Sequence, residues 1–462
     1  MNTLSNIKQV YFLGIGGIGM SALARYFASQ GIAVSGYDRT QTELTLQLEK
    51  EGIAIHYKDD PDELPQDLDI TSSLIVYTPA IPSTHQELNS LVDRGFTIHK
   101  RAEVLGIICN SHRTIAIAGT HGKTSVSTMT AHIMKTSDLG CAAFLGGISK
   151  NYHTNLLLDY SGSVWIVAEA DEFDRSFLQL TPNLAVITSM DADHLDIYGS
   201  HQKVIESFQL FANKIKPGGI LLLKKGLHLD CDLSAINTFS YSIEEEEADY
   251  CALNIELNQG FYQFDLKTPL AYIEKLVLNY PGLLNVENAV AAAALSLMAG
   301  ASEKDIRTAL YNYSGVKRRF DIQLNDETYV LIDDYAHHPE ELRATIQSVK
   351  NIYKGRALTG VFQPHLYSRT RDFATGFANS LDMLDEVVLL DIYPARELPI
   401  EGVNAELIFN QIQNKNKRLC TKEQLPDIAG TFKPGVVLMM GAGDIDTLVE
   451  PVKEQLLKNE GN

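Results

Sequence analysis

Short apolar runs recur along the chain, each closed by a glycine, a proline or an acid and each followed by a segment of helical period. The clearest are QVYFLGIG, SLIVYTPA, TIAIAGT, VWIVAEAD, LAVITSMD, ALTGVFQP, EVVLLDIY and GVVLMMGAG. Strand-length runs alternating with helices are the signature of βαβ units and parallel sheets. The pattern predicts an α/β fold whose chemistry sits at the C-terminal ends of strands, where open α/β sheets bind ligands. At 462 residues the chain exceeds a single core, and a rule of roughly 100 to 200 residues per domain predicts three. We place them at 1–109, 110–315 and 316–462. The stretch 217–280 reads as turns and short strands decorating the middle domain.

A formal net charge of -19 argues against a nucleic-acid partner, which needs a basic face. The five cysteines, Cys109, Cys141, Cys231, Cys251 and Cys420, show no C-x-x-C spacing, so neither a zinc site nor a disulfide framework is indicated. No basic segment precedes an apolar core at the N-terminus. The most apolar helix-like run, AVAAAALSLMAG, is shorter than the roughly 18 residues of a membrane span. The expectation is a cytoplasmic protein without membrane insertion.

Two glycine-rich turns follow strands. In GIGGIGMSALA, Gly14, Gly16 and Gly19 form G-x-G-x-x-G, and Asp38 follows Gly19 by nineteen positions. That spacing is a dinucleotide fingerprint, in which backbone approaches a pyrophosphate and the acid takes ribose hydroxyls. Close helix–sheet packing is the alternative. In IAIAGTHGKTS the lysine sits between glycine and threonine, but Ile117 occupies the place of the first glycine of G-x-x-x-x-G-K-[ST]. The parts that hold a triphosphate are nevertheless present in Gly119, Gly122, Lys123 and Thr124: free backbone N–H groups, a helix N-terminus and a lysine. Two phosphate sites mean either NAD plus a nucleoside triphosphate, or two nucleotide-linked substrates.

VWIVAEADEFDRSF presents Glu169, Asp171, Glu172 and Asp174 as a strand ends. Glu169 leaves the strand directly and is the expected Mg²⁺ ligand; a solvated acidic turn is the alternative. LAVITSMDADHLDIYG repeats the arrangement with Asp191, Asp193, His194 and Asp196. The last third adds LIDDYAHHPEELRA and VFQPHLYSRTRDF, with His365, Arg369 and Arg371. Arginines at a strand end can bind a carboxylate bidentately, or form surface ion pairs. GAGD reads as a tight strand–helix turn.

In order and over nearly the whole chain, GIGGIGMSALA, TPAIP, AGTHGKTS, EADEFD, DADHLDIYG, NVENAVAA, GVKRRFD, DDYAHHPEE, FQPHLYSRTRD and GAGD resemble the motifs of the Mur ligases, in the branch that adds L-alanine to UDP-N-acetylmuramate. The family's phosphate loop is the shorter G-T-x-G-K-T, so Ile117 fits it. The resemblance implies an N-terminal Rossmann-like domain for the UDP-sugar, a central P-loop ATPase-like parallel sheet, and a C-terminal Rossmann-like domain for the amino acid. It implies ATP and Mg²⁺, and a carboxylate phosphorylated by ATP and then attacked by an amine.

By the same resemblance, Gly119, Thr120, His121, Gly122, Lys123, Thr124, Ser125, Asn288, Arg319 and Asp334 contact ATP, with Asn285 close by. Thr124, Glu169 and His194 hold magnesium, and Lys123, Glu169, His194 and Arg319 are catalytic. The UDP-sugar falls to Gly14, Gly16, Gly17, Gly19, Met20, Ser21, Asp38, Thr78, Pro79 and Ala80, and the amino acid to His337, His365 and Arg369. Two positions depart from relatives: Gln209 stands where several have a carbamylated lysine, and Leu366 where many have arginine. A ligase that attaches a preformed tripeptide, and an NAD-dependent oxidoreductase, are the competing readings.

Overall fold

The structure, a computed structural model, describes residue 4 and residues 6–159, 162–193, 195–258, 260–395 and 397–459. Three sheets organise it. The first is five-stranded in the order β3-β2-β1-β4-β5, with β1 Gln9–Leu13, β2 Ala33–Tyr37, β3 Ala54–His56, β4 Ser73–Tyr77 and β5 Ile98–Lys100. All its pairings are parallel. β1 is central and buried over Val10–Leu13, which is why its sequence runs apolar without alternation.

The second sheet holds β6 Arg113–Ala118, β7 Ala142–Ser149, β8 Thr154–Leu157, β9 Trp165–Glu169, β10 Leu184–Ile187, β11 Ile220–Lys224, β12 Asn237–Ser242, β13 Tyr250–Asn258, β14 Phe261–Lys267 and β15 Tyr272–Leu278. Its order is β15-β14-β13-β12-β11-β10-β6-β9-β7-β8. β6 pairs in parallel with β9 and β10, so the phosphate-loop turn and the two acidic strand ends emerge side by side. The third sheet runs β16-β17-β21-β18-β19-β20, from β16 Asp321–Asn325, β17 Tyr329–Asp334, β18 Ala357–Phe362, β19 Glu386–Leu390, β20 Lys417–Cys420 and β21 Gly435–Met440. β16 alone is antiparallel there.

All eight apolar runs are strands. The stretch 217–280 is more regular than its sequence suggests, since it supplies five consecutive strands of the second sheet. The outer part of β13 is half-buried or exposed at every position, so no apolar run marks it.

Two compact units are distinguished: Met1–Leu253, Phe264–Leu276 and Asn288–Tyr313; and Asn254–Gln263, Val277–Glu287 and Ser314–Asn462. In the first, one buried cluster runs from Val10, Phe12 and Phe27 through Phe144 and Phe177 to Leu221, joining the first two sheets. In the second, Leu331, Val361, Val388, Val437 and Met439 form the core around the third sheet.

Candidate functional site

β6 ends at Ala118, and the chain turns through Gly119 to the helix Lys123–Thr136. Gly119 has φ +137° and a Cβ there would lie 2.0 Å from the Thr188 hydroxyl, so the turn excludes any side chain. Two groups brace the loop from the end of β10: Ser189 carbonyl accepts the Thr120 N–H (3.2 Å) and Ser189 Oγ the His121 N–H (2.7 Å). Gly122 caps the helix without a side-chain hydrogen bond, and no acid lies in its first turn. The first intrahelical bond is Val126 N–H to Gly122 carbonyl. The N–H groups of Lys123, Thr124 and Ser125 therefore precede the helical ladder, and with the positive end of the helix dipole they form an anion-binding terminus. Thr124 and Ser125 are buried. Asn288 is buried too, and its Oδ1 lies 3.0 Å from where a Cβ on Gly122 would stand.

Lys123 folds back over this loop. Its ammonium donates to the carbonyls of Gly119 (2.6 Å) and Thr120 (3.3 Å) and pairs with Glu172 at 2.7 Å. Burial works against the ammonium, but the carboxylates of Glu172, Asp171 and Glu169 outweigh it and raise its pKa. The acid that engages the lysine is thus Glu172, which is 1 % exposed. The sequence presents four acids in one run and carries no signal for which of them is buried.

The loop after β9 is tightly held. Asp171 accepts from the Phe173 N–H (3.1 Å) and lies 3.5 Å from Arg101, and Asp174 pairs with Lys100 at 2.8 Å. Asp174 and Arg175 take left-handed backbone, φ +51° and +55°. Glu169 is half-buried, and its carboxylate occupies the space a side chain on Gly146 would need: a Cβ there would meet its oxygens at 2.2 Å. Asp191 lies 3.6 Å from the His121 imidazole. His194 lies outside the described residues.

The first glycine loop has the same construction. Gly17 caps the helix Ile18–Ser29 without a side-chain bond, again with no acid in the first turn. Gly14 has φ +87° and faces Thr78. Asp38, at the end of β2, accepts the Gly16 N–H at 2.7 Å, so its carboxylate shapes the loop. A Cβ on Gly16 would meet that carboxylate at 2.8 Å and Thr45 at 2.7 Å. Met20 and Ser21 face inward; Ser21 Oγ donates to Ile18 carbonyl and accepts from Asn155. Pro79 and Ala80 are exposed in the turn after β4.

A cavity of about 290 Å³ connects this loop with the second sheet. Its wall includes Gly17, Gly19, Met20, Thr78, Gly146 and Glu169, together with Arg101, which the sequence reading did not single out. Arg101 stands at the first position of the helix Arg101–Asn110, with its guanidinium where a side chain on Gly19 would lie.

In the second unit, Asp334 ends β17 buried, accepting N–H bonds from Phe320 (2.7 Å) and Ala336 (2.8 Å). Arg319 stacks over Tyr335 at 4.7 Å. Asn285 donates to Pro281 carbonyl at 2.6 Å. His337, His365 and Arg369 come together: the two imidazoles are 6.0 Å apart and Arg369 lies 3.5 Å from His365 Nδ1. Arg369 is buried, whereas Arg371 is exposed and pairs with Asp372. Tyr393, at the turn after β19, stacks on His365 at 5.8 Å. No sequence motif pointed to it. Leu366 is buried with φ +69°. Gln209 is half-buried in the helix His201–Ala212.

Mg²⁺ takes hard oxygen donors, keeps several waters and shares substrate phosphates, and so needs one or two protein ligands and no protein cage. Among the described residues no cluster of three or more His, Cys, Asp or Glu forms such a cage. The Thr124 hydroxyl at the phosphate loop and the Glu169 carboxylate, cradled over Gly146 at the cavity, are donors of the required kind.

Three family models match along the chain: Mur ligase family, catalytic domain, over residues 9–113; Mur ligase middle domain over 117–296; and Mur ligase, glutamate ligase domain, over 318–443. The chain is 50% identical over 462 residues to a UDP-N-acetylmuramate–L-alanine ligase of Parabacteroides distasonis, covering 98% of each. It is 51% identical over 453 residues to that of Porphyromonas gingivalis, covering 97% of this chain and 99% of the relative. A crystal structure of UDP-N-acetylmuramate-alanine ligase from Thermotoga maritima superposes with TM-score 0.81 at 27% identity, covering 98% of this chain and 99% of that one. Ten ordered motifs, two acid-free helix N-termini on glycine turns, and family matches over all three sheets converge: the chain belongs to the Mur ligase family.

Proposed function

We propose that the chain is an ATP-dependent ligase that joins L-alanine to the carboxylate of UDP-N-acetylmuramate, the first step in building the peptidoglycan peptide. The observation that carries this reading is the identity of about half of all positions, over essentially the full length of both chains, with ligases of that name. The construction of the site supports it chemically. Transfer of phosphoryl to a carboxylate gathers negative groups, which need cations and oriented N–H groups around them.

In this reading the turn Gly14–Gly19 and the helix end behind it take the UDP diphosphate, with Met20, Ser21, Asp38, Thr78, Pro79 and Ala80 completing that site. The loop Gly119–Ser125 takes the triphosphate, Lys123 neutralising its β/γ end. Thr124, Glu169 and His194 are the ligands assigned to Mg²⁺, which when bound supplies charge neutralisation on the phosphates. Asn288, Arg319 and Asp334 keep their nucleotide assignment, and His337, His365 and Arg369 their assignment to alanine. The substrate carboxylate attacks the γ-phosphorus to give an acyl phosphate and ADP, and the alanine amine then displaces inorganic phosphate to leave the amide. We also propose domain boundaries near 110 and 315. No helix among the described residues is long and apolar enough to cross a membrane, and the cytoplasm is the compartment in which we place the reaction.

The test is release of inorganic phosphate with UDP-N-acetylmuramate, ATP, Mg²⁺ and a panel of amino acids and peptides. Release that requires the UDP-sugar and is fastest with alanine is expected. Preference for a preformed tripeptide, or release without the UDP-sugar, would overturn the assignment.

A further inference from the structure

Lys123 is not waiting in the loop with a free charge. Its ammonium is held 2.7 Å from Glu172 and by the Gly119 and Thr120 carbonyls, with only 13 % of the lysine side chain and 2 % of the glutamate side chain exposed. An ammonium beside a phosphate-binding helix end carries a charge that water does not reach well, and a buried ion without a partner is strongly unfavourable. Glu172 supplies that partner.

Its delivery is over-determined. The Glu172 carbonyl accepts from the buried Tyr198 hydroxyl at 2.6 Å. Two and three residues on, Asp174 and Arg175 hold left-handed backbone that non-glycine residues adopt only when the surroundings enforce it. Their side chains are engaged on either side: Asp174 with Lys100 at 2.8 Å and Arg175 over Tyr198 at 5.6 Å. A merely solvated acidic turn would need none of this.

We infer that Glu172 and the triphosphate compete for the phosphate-loop lysine: the ammonium that pairs with Glu172 at 2.7 Å is the one the nucleotide needs, and binding displaces the carboxylate from it. This rests on the reading of the loop as the nucleotide site. The displacement has a direction. Nucleotide must break a buried pair and then share the neighbourhood of a fixed carboxylate, so the wild-type affinity is reduced by both. The gain is a lysine that the Glu172 carboxylate and the Gly119 and Thr120 carbonyls keep ordered and aimed into the loop.

The experiment is calorimetric titration of ADP with Mg²⁺ into wild-type enzyme, Glu172→Gln and Glu172→Asp, with melting curves taken with and without the nucleotide. Glu172→Gln should melt lower when nucleotide-free, bind ADP about fivefold more tightly, roughly 1 kcal/mol, and gain more melting temperature from saturating ADP than wild type does. Glu172→Asp keeps the charge and should lie between the two. A glutamate that only shapes the loop would weaken nucleotide binding when changed, and one that plays no part would leave it unaltered; either result from folded Glu172→Gln overturns the inference. If that variant does not fold, Glu172→Asp decides alone, since tighter binding supports displacement and equal or weaker binding refutes it. Absence of ADP binding by the wild-type enzyme would instead remove the nucleotide assignment itself.

Discussion

Lys123 and Glu172 make the mutational logic of the phosphate loop different from that of an isolated lysine. Lys123→Ala should lower turnover by two or more orders of magnitude, the usual scale for losing an electrostatic group at a reacting phosphate. It also strands the Glu172 carboxylate, and breaking a buried pair costs about 3 to 5 kcal/mol, so the melting temperature should fall as well. The double change Lys123→Ala with Glu172→Gln removes both charges. It should recover most of the stability and none of the turnover, and phosphate release normalised to folded protein checks both halves. A double variant with restored turnover would take Lys123 out of the chemistry. The arginines of the second unit give a cleaner contrast, because burial already separates them. If Arg369 pairs with the alanine carboxylate, Arg369→Ala should cost about 2 to 5 kcal/mol, seen as a raised alanine requirement with little change for ATP. Arg371→Ala, on an exposed pair with Asp372, should change little. Titration of alanine at saturating ATP and UDP-sugar measures both, and equal losses would remove Arg369 from the pocket.

At the level of elements, the helix Ile18–Ser29 serves two purposes: its N-terminus backs the first glycine loop, and its body packs on β7 and β8. Asn155, fully buried on β8, fastens it. The Asn155 amide donates to Ile18 carbonyl (2.6 Å) and Ser21 Oγ (2.9 Å), and its oxygen accepts from Arg25 (2.5 Å). Asn155→Ala removes three buried hydrogen bonds, each worth about 0.5 to 1.5 kcal/mol net, while Ser21 Oγ keeps its bond to Ile18 carbonyl and Arg25 its pair with Glu51. A fall in melting temperature of several degrees is expected, and an unchanged melt would show that water replaces the amide. Nothing in the sequence around Asn155 announces this, because the contact joins residues more than a hundred positions apart. β1, β6, β9 and β10 were legible because a strand buried on both faces must be apolar throughout. The glycine turns were legible because backbone conformation and close approach dictate glycine locally. The short strands of 217–280 were legible as strands but not as one edge of the large sheet, and the Lys123–Glu172 pair, Arg101 and Tyr393 were not legible, since they depend on which surfaces meet after folding.

The protein as a whole should also respond to pH through a buried carboxyl that belongs to neither phosphate turn. Glu87, in the helix Gln86–Asp93, is fully buried; it accepts from the Tyr11 hydroxyl at 2.5 Å and the Asp60 N–H at 3.2 Å, with His56 at 3.7 Å. Burial pushes its carboxyl from 4.5 up to about 7, the Tyr11 and Asp60 bonds pulling against that shift and the Asp59 and Asp60 charges adding to it. A carboxyl whose native pKa exceeds its unfolded value holds its proton more tightly when folded. Unfolding therefore releases that proton between pH 4.5 and 7, and stability is lost as pH rises through this window. His132, lowered by burial to about 4, acts oppositely, and the half-buried His56 and buried His85 are lowered as well. These imidazoles cost stability as pH falls below 6.5. The wild-type profile thus sums opposing slopes, and only the difference from Glu87→Gln isolates the carboxyl. The glutamine preserves the network: its oxygen takes the Asp60 N–H and its nitrogen donates to the Tyr11 oxygen. The Tyr11 proton then turns to His56 Nε2, 2.8 Å away, whose Nδ1 is engaged with Lys58 carbonyl. Melting temperatures from pH 4.5 to 8 should show Glu87→Gln gaining on the wild type steadily up to about pH 7 and holding that advantage above it. Parallel profiles would mean that Glu87 titrates in the native protein as an ordinary carboxylate.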